Sequence, residues 1–397
     1  MTSNNDNQRG PGAGAEPGSI QQVLAWRAHE LPRVRTLLAL RRWWMTDLYA
    51  RLRAEWQACG GPTTAPIVEP PEHGDMAAAE TAAAAMEAAA PIVAELPSTP
   101  TFAWLDRYLQ DRLWQEVGVM VDERIDELDT AVAPRDGDLG NLGLDPGVVM
   151  PRYYEAIDFH RQAGGIWRDT RGAAIYAMGA RVIHVGRNDA NELHDRFAAD
   201  VPLDDPSVIV DVACGFGKTT LSLAKRWPRA EVIAVDLSVP CLHLGRRLAT
   251  EAGRAVSWRQ GAAEQLPVDD GVADLVTITM ALHEMPPRSI EAALAEGLRV
   301  LRPGGMLVAL ENRLLGDPLR DVLGAWHSEI IEEPYMNPFR ATDVAARARA
   351  AGFTAEARPW YPPGAVPGAE LDPARWSSPW RLLVATSPAL VAVGGPR

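Results

Sequence analysis

The stretch that decides the fold is residues 208–217, Val-Ile-Val-Asp-Val-Ala-Cys-Gly-Phe-Gly, an apolar run that leads straight into a glycine-containing turn. A second apolar run, Val232 to Val235, ends on Asp236. A parallel strand buried on both faces reads as a continuous apolar run, and Ile209 and Val210 supply one. Gly215 and Gly217 then let the backbone pass close to a ligand at the strand's carboxyl end, where open α/β sheets bind. Asp236 ends the neighbouring strand about 20 residues on, where a carboxylate accepts both hydroxyls of a ribose. Such a charge-assisted bond contributes roughly 1.5–3 kcal/mol.

A dinucleotide, a triphosphate and S-adenosylmethionine all suit this geometry, and spacing separates them. A phosphate-binding Walker loop ends in Gly-Lys-Thr, as Gly217-Lys218-Thr219 does, but Val212 stands where its first glycine is required. The dinucleotide fingerprint needs a third glycine where Thr220 stands. The run Asp211-x-Ala213-x-Gly215-x-Gly217 has another period, and resembles the Asp/Glu-x-Gly-x-Gly-x-Gly loop of class I S-adenosylmethionine-dependent methyltransferases. Ala213 replaces the first glycine, at little cost if its φ stays negative.

The following segments resemble the ubiquinone/menaquinone-biosynthesis type of that family in order. Gly261-Ala-Ala-Glu-Gln-Leu-Pro-Val is similar to its Gly-Asp-Ala-Glu-x-Leu-Pro-Phe block, and Ala273 to Met280 reads as its fourth strand. Leu282-His-Glu-Met-Pro286 is the loop beyond, Ile290 to Leu301 a helix, and Arg299-Val-Leu-Arg-Pro-Gly-Gly the turn into the fifth strand. The resemblance covers residues 206–312. It implies a Rossmann-like seven-stranded α/β sheet, S-adenosylmethionine as cofactor, and cofactor contacts at Asp211, Ala213, Gly215, Gly217, Asp236, Leu237, Ala262, Ala263, Glu264 and Met280. The family's aspartate near the adenine amino group falls at Ala262, which shifts that contact to backbone around Ala263 and to Glu264. Asp236 has a second reading as a helix cap, and Asp211 a second reading as a solvated strand residue, against which its place inside the buried strand argues that it orients the glycine loop or reaches the methionine ammonium group.

Composition narrows the function. The 397 residues carry a formal charge of −13, with a pI near 5.2 and no evident basic run, so nucleic-acid binding would work against net repulsion. Cys59, Cys214 and Cys241 form no Cys-x-x-Cys pair, so neither a disulfide framework nor a metal is expected. Cys214 reads as a small residue in a tight turn, since a reactive thiolate needs an electropositive setting. No run approaches the roughly 20 apolar residues of a membrane span, and residues 1–18 have no apolar signal core. The expectation is a cytoplasmic enzyme acting on a small molecule, with neither nucleic acid nor a membrane as partner.

The chain divides into a disordered stretch at 1–19, a helical region at 20–148, a lid-like segment at 149–205 and the cofactor-binding domain at 206–397. In the helical region, Ile20 to Ala58 carries Trp26, Trp43, Trp44 and Trp56 at spacings that predict two helices broken near Pro32. Gly60 to Gly74 reads as a linker, an Ala-rich helix runs to about Ala90, and Thr101 to Leu128 carries the apolar stripe of one long helix. Arg135 to Gly147 reads as a loop. The tryptophans suit core packing or a homodimer contact, and the region as a whole suits a substrate cover or a dimerisation element.

The lid segment crowds Tyr153, Tyr154, His160, Arg161, Trp167, Tyr176 and His184 around Gly164-Gly165 and Gly172. The resemblance places Tyr153 and Tyr154 near the cofactor's sulfonium and His160 near the substrate. An ordinary polar surface helix is the competing reading. After the fourth strand, His283 and Glu284 fall at the carboxyl edge beside the expected methyl group. Methyl transfer is an in-line displacement that needs alignment, plus a base when the nucleophile carries a proton. His283, His160 and Glu284 are the catalytic candidates, with His184 also open as the base, and His283 has a second reading as a residue that only shapes its loop.

Further on, Leu314 to Ile331 and Ala341 to Ala351 read as helices, Phe353 to Trp360 and Trp380 to Thr386 as a hairpin, and 362–379 as a long insertion. The acceptor is expected to be a secondary metabolite or an aromatic, quinone-like compound. A non-catalytic S-adenosylmethionine-binding partner subunit and a protein methyltransferase remain as the other readings.

Overall fold

The computed structural model describes residues 19–62, 76–361 and 380–389. The amino-terminal stretch before residue 19, most of the expected linker and the 362–379 insertion lie outside the described residues. Eight strands form one sheet: β1 (Leu142–Gly143), β2 (Val208–Val212), β3 (Glu231–Asp236), β4 (Ser257–Gln260), β5 (Ala273–Thr279), β6 (Leu301–Asn312), β7 (Thr354–Trp360) and β8 (Trp380–Thr386). Their order is β1-β4-β3-β2-β5-β6-β8-β7. Neighbours are parallel except at β8, which runs antiparallel to both β6 and β7. The sheet has one strand more than expected, because two residues of the stretch read as a loop pair with β4, Leu142 opposite Trp258 and Gly143 opposite Arg259.

Among the described residues fifteen α-helices surround the sheet. Ahead of β2 lie α1 (Ile20–Val23), α2 (Leu31–Trp43), α3 (Tyr49–Ala58), α4 (Met76–Ala94), α5 (Thr99–Asp122), α6 (Ile125–Val132), α7 (Arg152–Ala156), α8 (Thr170–Ile183) and α9 (Glu192–Asp200). From there on come α10 (Lys218–Arg226), α11 (Val239–Glu251), α12 (Pro287–Val300), α13 (Pro318–Ile330), α14 (Met336–Arg340) and α15 (Val344–Ala350).

Period-two alternation in β2 and β3 sends side chains to opposite faces. Val210, Val212, Ile233 and Val235 pack with Ile290, Leu294 and Phe339. Ile209, Val232 and Ala234 pack on the other face with Leu193, Phe197 and Leu223. Both faces are covered, which is why these strands read as continuous apolar runs. Strand order reverses between β2 and β5, and that switch point opens a crevice at the carboxyl ends of β2 and β3. Helix α10 starts at Gly217, which has φ +90 and lies so close to the Trp258 indole that an added Cβ would sit 2.5 Å from it. Conformation and space both require glycine there.

The amino-terminal helices are packed into this frame. Leu113, Trp114 and Val117 of α5 share one core with Ala173, Ala177 and Met178 of α8, and it extends to Phe216, Cys241 and Leu244 beside the sheet. Trp44, Trp56, Phe102 and Leu105 share another with Leu319, Val322 and Leu323 of α13. Of the four early tryptophans, Trp44 and Trp56 are buried and Trp43 is exposed, while Trp26 lies under the Arg181 guanidinium at 5.0 Å.

Three local readings are corrected. The single helix expected over Thr101 to Leu128 ends at Asp122, because the Arg124 guanidinium turns inward to the carbonyls of Val23, Ala25 and Met120 and to the Glu30 carboxylate. The chain from Leu31 to Ala58 is continuous, with a π turn at Trp44–Leu48, and Pro32 sits in its first turn. Helix α4 passes through Pro91 to Ala94, where burial of Ala89 and Val93 offsets the lost hydrogen bond. Among the described residues no helix is long and apolar enough to cross a membrane.

Candidate functional site

The crevice is lined from four directions. Ala213, Asp236 and Leu237 come from the ends of β2 and β3, and Gly261, Ala263 and Glu264 from the loop after β4. Ala281, Glu284 and Met285 come from the loop after β5, and Tyr153 and Tyr154 from α7. No lysine or arginine is among these residues.

Asp236 is the centre of this wall. One carboxylate oxygen accepts from the Gly215 backbone N–H at 2.7 Å and the other from Ser238 N–H at 2.8 Å. Burial raises its pKa against those bonds to about 6. It does not cap α11, since Ser238 Oγ accepts from Cys241 N–H in that role. The preceding turn is strained, because Ala213 has φ +52 and not the negative value expected. A left-handed non-glycine residue costs about 1–3 kcal/mol. With that turn made, Cys214 N–H reaches the Val235 carbonyl at 3.1 Å and ties the loop to β3.

Several expected contact residues stand behind the wall. Asp211 is buried, and its oxygens accept from Thr220 Oγ1 at 2.6 Å and Thr277 Oγ1 at 2.7 Å, which fixes α10 and β5 to the start of the glycine loop. Ala262 forms an isolated bridge with Gln265, and Met280, at φ +56, donates its N–H to the Leu310 carbonyl. Neither residue lines the crevice. Gly217 serves the start of α10.

The segment from α7 to α8 is drawn over the opening. Tyr153 Oη donates to Glu264 Oε1 at 2.9 Å, and Ser238 Oγ donates to the Ile166 carbonyl at 2.8 Å. Arg161 bridges Asp111 and Glu332 at 2.9 and 2.7 Å. The space left inside is about 50 Å³, within a cleft of about 420 Å³ open to solvent. Small-molecule sites span roughly 300–1,000 Å³, well above the space left under this segment.

Two histidine–glutamate pairs flank the loop after β5. His283 Nδ1 lies 2.6 Å from Glu311 Oε2, both groups are buried, and Glu311 also accepts from the Ala281 and Leu282 N–H groups. Burial alone would lower the His283 pKa, but Glu311 outweighs it and lifts the value to about 9. His283 is absent from the crevice wall. His160 Nδ1 lies 2.7 Å from Glu333 and its Nε2 3.3 Å from Glu284, at the crevice edge. Here too burial is outweighed by the carboxylates, and the pKa rises to about 10. His184 stands apart at the end of α8, where burial and then Lys218 pull its pKa down to about 3.

Glu333 was not among the sequence candidates. It sits in the turn between α13 and α14, and its only signal is an acidic pair before Pro334. Tyr335 beside it meets Tyr153 edge-on at 6.2 Å, and Tyr176 lies parallel to the His160 ring at 6.4 Å.

The parallel order around the switch point, the antiparallel strand inserted next to the edge, and a crevice walled by a strand-end aspartate make this a class I S-adenosylmethionine-dependent methyltransferase fold. Residues 209–305 match the family model described as a methyltransferase domain. Within that class the domain is similar to the ubiquinone/menaquinone-biosynthesis type. It is 41% identical over 117 residues to demethylmenaquinone methyltransferase of Thermus thermophilus, covering 29% of this chain and 52% of that protein. It is 40% identical over 112 residues to the ubiquinone/menaquinone biosynthesis C-methyltransferase UbiE of Dinoroseobacter shibae, covering 28% and 44%. The chain thus spans about half the length of these curated relatives. A solved structure, PigF with SAH, aligns over 69% of each chain at a TM-score of 0.41 and 18% identity.

S-adenosylmethionine is the cofactor of this class, and the residues present fit it. The wall offers a carboxylate for ribose hydroxyls, small residues at Ala213, Gly261 and Ala263 where a nucleoside must approach the backbone, and carboxylates near a sulfonium. It offers no cation for a phosphate.

Proposed function

We propose that this chain transfers a methyl group from S-adenosylmethionine to a small-molecule acceptor. The observation that carries the reading is Asp236, a buried carboxylate facing a crevice with no lysine or arginine in its wall and held by the Gly215 loop. The cofactor supplies an activated methyl group when bound. Asp236 holds its ribose, Tyr153 and Tyr154 cover it, and the Glu284 edge receives the acceptor. Closure of the α7 to α8 segment excludes water and aligns the two reactants, an effect potentially worth about 7–11 kcal/mol of the barrier.

His160 and Glu284 are the groups we assign to the reaction, because they meet at the crevice edge. His283 is assigned to bracing the loop. The aromatic rings of Tyr153, Tyr154, Tyr176 and Tyr335 around this edge favour a planar acceptor, and the names of the quinone-pathway relatives point the same way. Isothermal titration with S-adenosylmethionine and S-adenosylhomocysteine tests the reading. Micromolar binding by wild type, lost in Asp236→Ala, is expected, and wild type that binds neither compound overturns it.

A further inference from the structure

We infer that Glu333 is a positioning residue that holds the His160 ring oriented and cationic, making Nε2–H the hydrogen-bond donor and Glu284 the proton acceptor for an uncharged, hydroxyl-bearing acceptor. The inference rests on the methyl-transfer reading above and deepens it. The two contacts of the ring differ. Nδ1 meets Glu333 at 2.7 Å, and that carboxylate is buried, with 1% of its side chain exposed. Nε2 meets Glu284 at the looser distance of 3.3 Å, and Glu284 is 20% exposed on the crevice wall. A carboxylate on one ring nitrogen with the other nitrogen toward the reaction centre is how an imidazole is oriented for catalysis.

The charge on His160 is required by its neighbour. Among the described residues no donor other than the His160 ring reaches the Glu333 side chain, so the imidazolium 2.7 Å away is the main compensation for a buried carboxylate. Leaving such a charge unpaired costs several kcal/mol. The backbone that carries the ring is also held in place. His160 has φ +59, and its carbonyl accepts from Gln110 Nε2 at 2.7 Å and Trp114 Nε1 at 2.5 Å on α5. Glu333, Glu284 and Tyr176 face the ring, His184 feels its charge from the end of α8, and Glu333 also feels His283 and His327. His160, Glu284 and Glu333 lie near enough together to hold a cation, but the two ring nitrogens face different carboxylates and the imidazolium already fills that place.

A hydroxyl group fits between His160 and Glu284, accepting from Nε2–H and donating to the Glu284 carboxylate as that side chain swings outward. Its oxygen lone pair forms the new bond to the methyl carbon while the carbon–sulfur bond breaks and leaves its electrons on sulfur. The hydroxyl proton passes to Glu284. An acceptor whose recognised group is a carboxylate would add a third negative charge beside Glu284 and Glu333, and is disfavoured.

The test is NMR of the full chain with labelled histidine rings, saturated with S-adenosylhomocysteine and with His160 assigned from His160→Asn. At neutral pH both His160 nitrogens should carry protons. Glu333→Gln should weaken the proton affinity of His160 by at least about tenfold, a fall of one pH unit or more in its titration. Glu333→Asp should restore most of it, and Glu311→Gln should move His283 alone. With p-cresol and p-toluate as probes, the His160 signals should respond to the phenol and not to the carboxylate. A neutral His160, an unchanged titration in Glu333→Gln, a stronger response to p-toluate or none to p-cresol would each overturn the inference. S-adenosylhomocysteine binding by Glu333→Gln confirms that this variant is folded. The ring's charge can also be read without ligand, so failure of cofactor binding would sink the function and leave the Glu333 pairing to be judged by itself.

Discussion

His283 with Glu311 and His160 with Glu333 are chemically the same pair, set in two regions that use it differently. The first lies wholly within the sheet frame, where Glu311 on β6 gathers two backbone N–H groups and a ring nitrogen from the loop after β5. The second joins the covering segment to the turn after α13, and its ring keeps one nitrogen toward a half-open wall. A saturated pair is a brace, whereas a pair with a loose third contact can exchange that contact for a ligand. What separates them is the supply of other partners, which is a property of the tertiary structure.

Four changes test this contrast. Glu311→Ala should cost about 3–5 kcal/mol of stability in a denaturant titration, because it strands a buried imidazolium and two N–H groups. A much smaller loss would mean that this pair is no brace. The pH adds to this test. The His283 pKa is raised, so the pair's contribution is complete below the ordinary histidine value of about 6.5 and disappears as pH rises through about 9.

Asp236→Ala should weaken cofactor binding by about 1.5–3 kcal/mol, roughly 10- to 150-fold, and cost about 1–3 kcal/mol of stability by stranding the Gly215 and Ser238 N–H groups. Its own pKa is raised to about 6, so wild-type affinity should fall as pH drops through that value and be complete above it. A flat pH profile would count against the carboxylate as the ribose partner. Arg161→Ala removes two half-exposed ion pairs from the cover. At most about 1 kcal/mol of global stability should go, while hydrogen exchange across residues 158–166 quickens. Equal protection in both proteins would show that the cover is as rigid as the frame. The smallest expected effect is Ala213→Gly, which relieves a left-handed alanine and should stabilise the chain by about 0.4–1 kcal/mol at most, since glycine also loosens the unfolded chain.

The contrast also explains what was legible in the sequence. Strands β2, β3 and β5 announce themselves because burial on both faces leaves an unbroken apolar run, and the crevice follows from where those runs end. Asp236 lines it as local spacing suggests, and Leu237, Ala263 and Glu264 line it as the family resemblance implies. The cover gives no such signal. The break at Arg124 depends on carbonyls about a hundred positions earlier, at Val23 and Ala25. Strand β1 exists because β4 offers a free edge to Leu142 and Gly143. Glu333 acquires meaning only when the fold brings it to His160, and choosing between His160 and His283 requires knowing which ring faces the crevice. The left-handed turn at Ala213 hides because alanine gives no warning of it.

The indole of Trp258 touches two glycines from different helices, Gly217 at the start of α10 and Gly245 within α11, and an added Cβ at either would lie 2.5 Å from it. These three positions form a unit of inheritance. A side chain gained at Gly245 is tolerable only after Trp258 has become smaller, and the reverse change leaves a void that two glycines cannot fill. Descendants of this sequence should therefore change the three together or not at all, so that the spacing of α10 and α11 over β4 is passed on as a set.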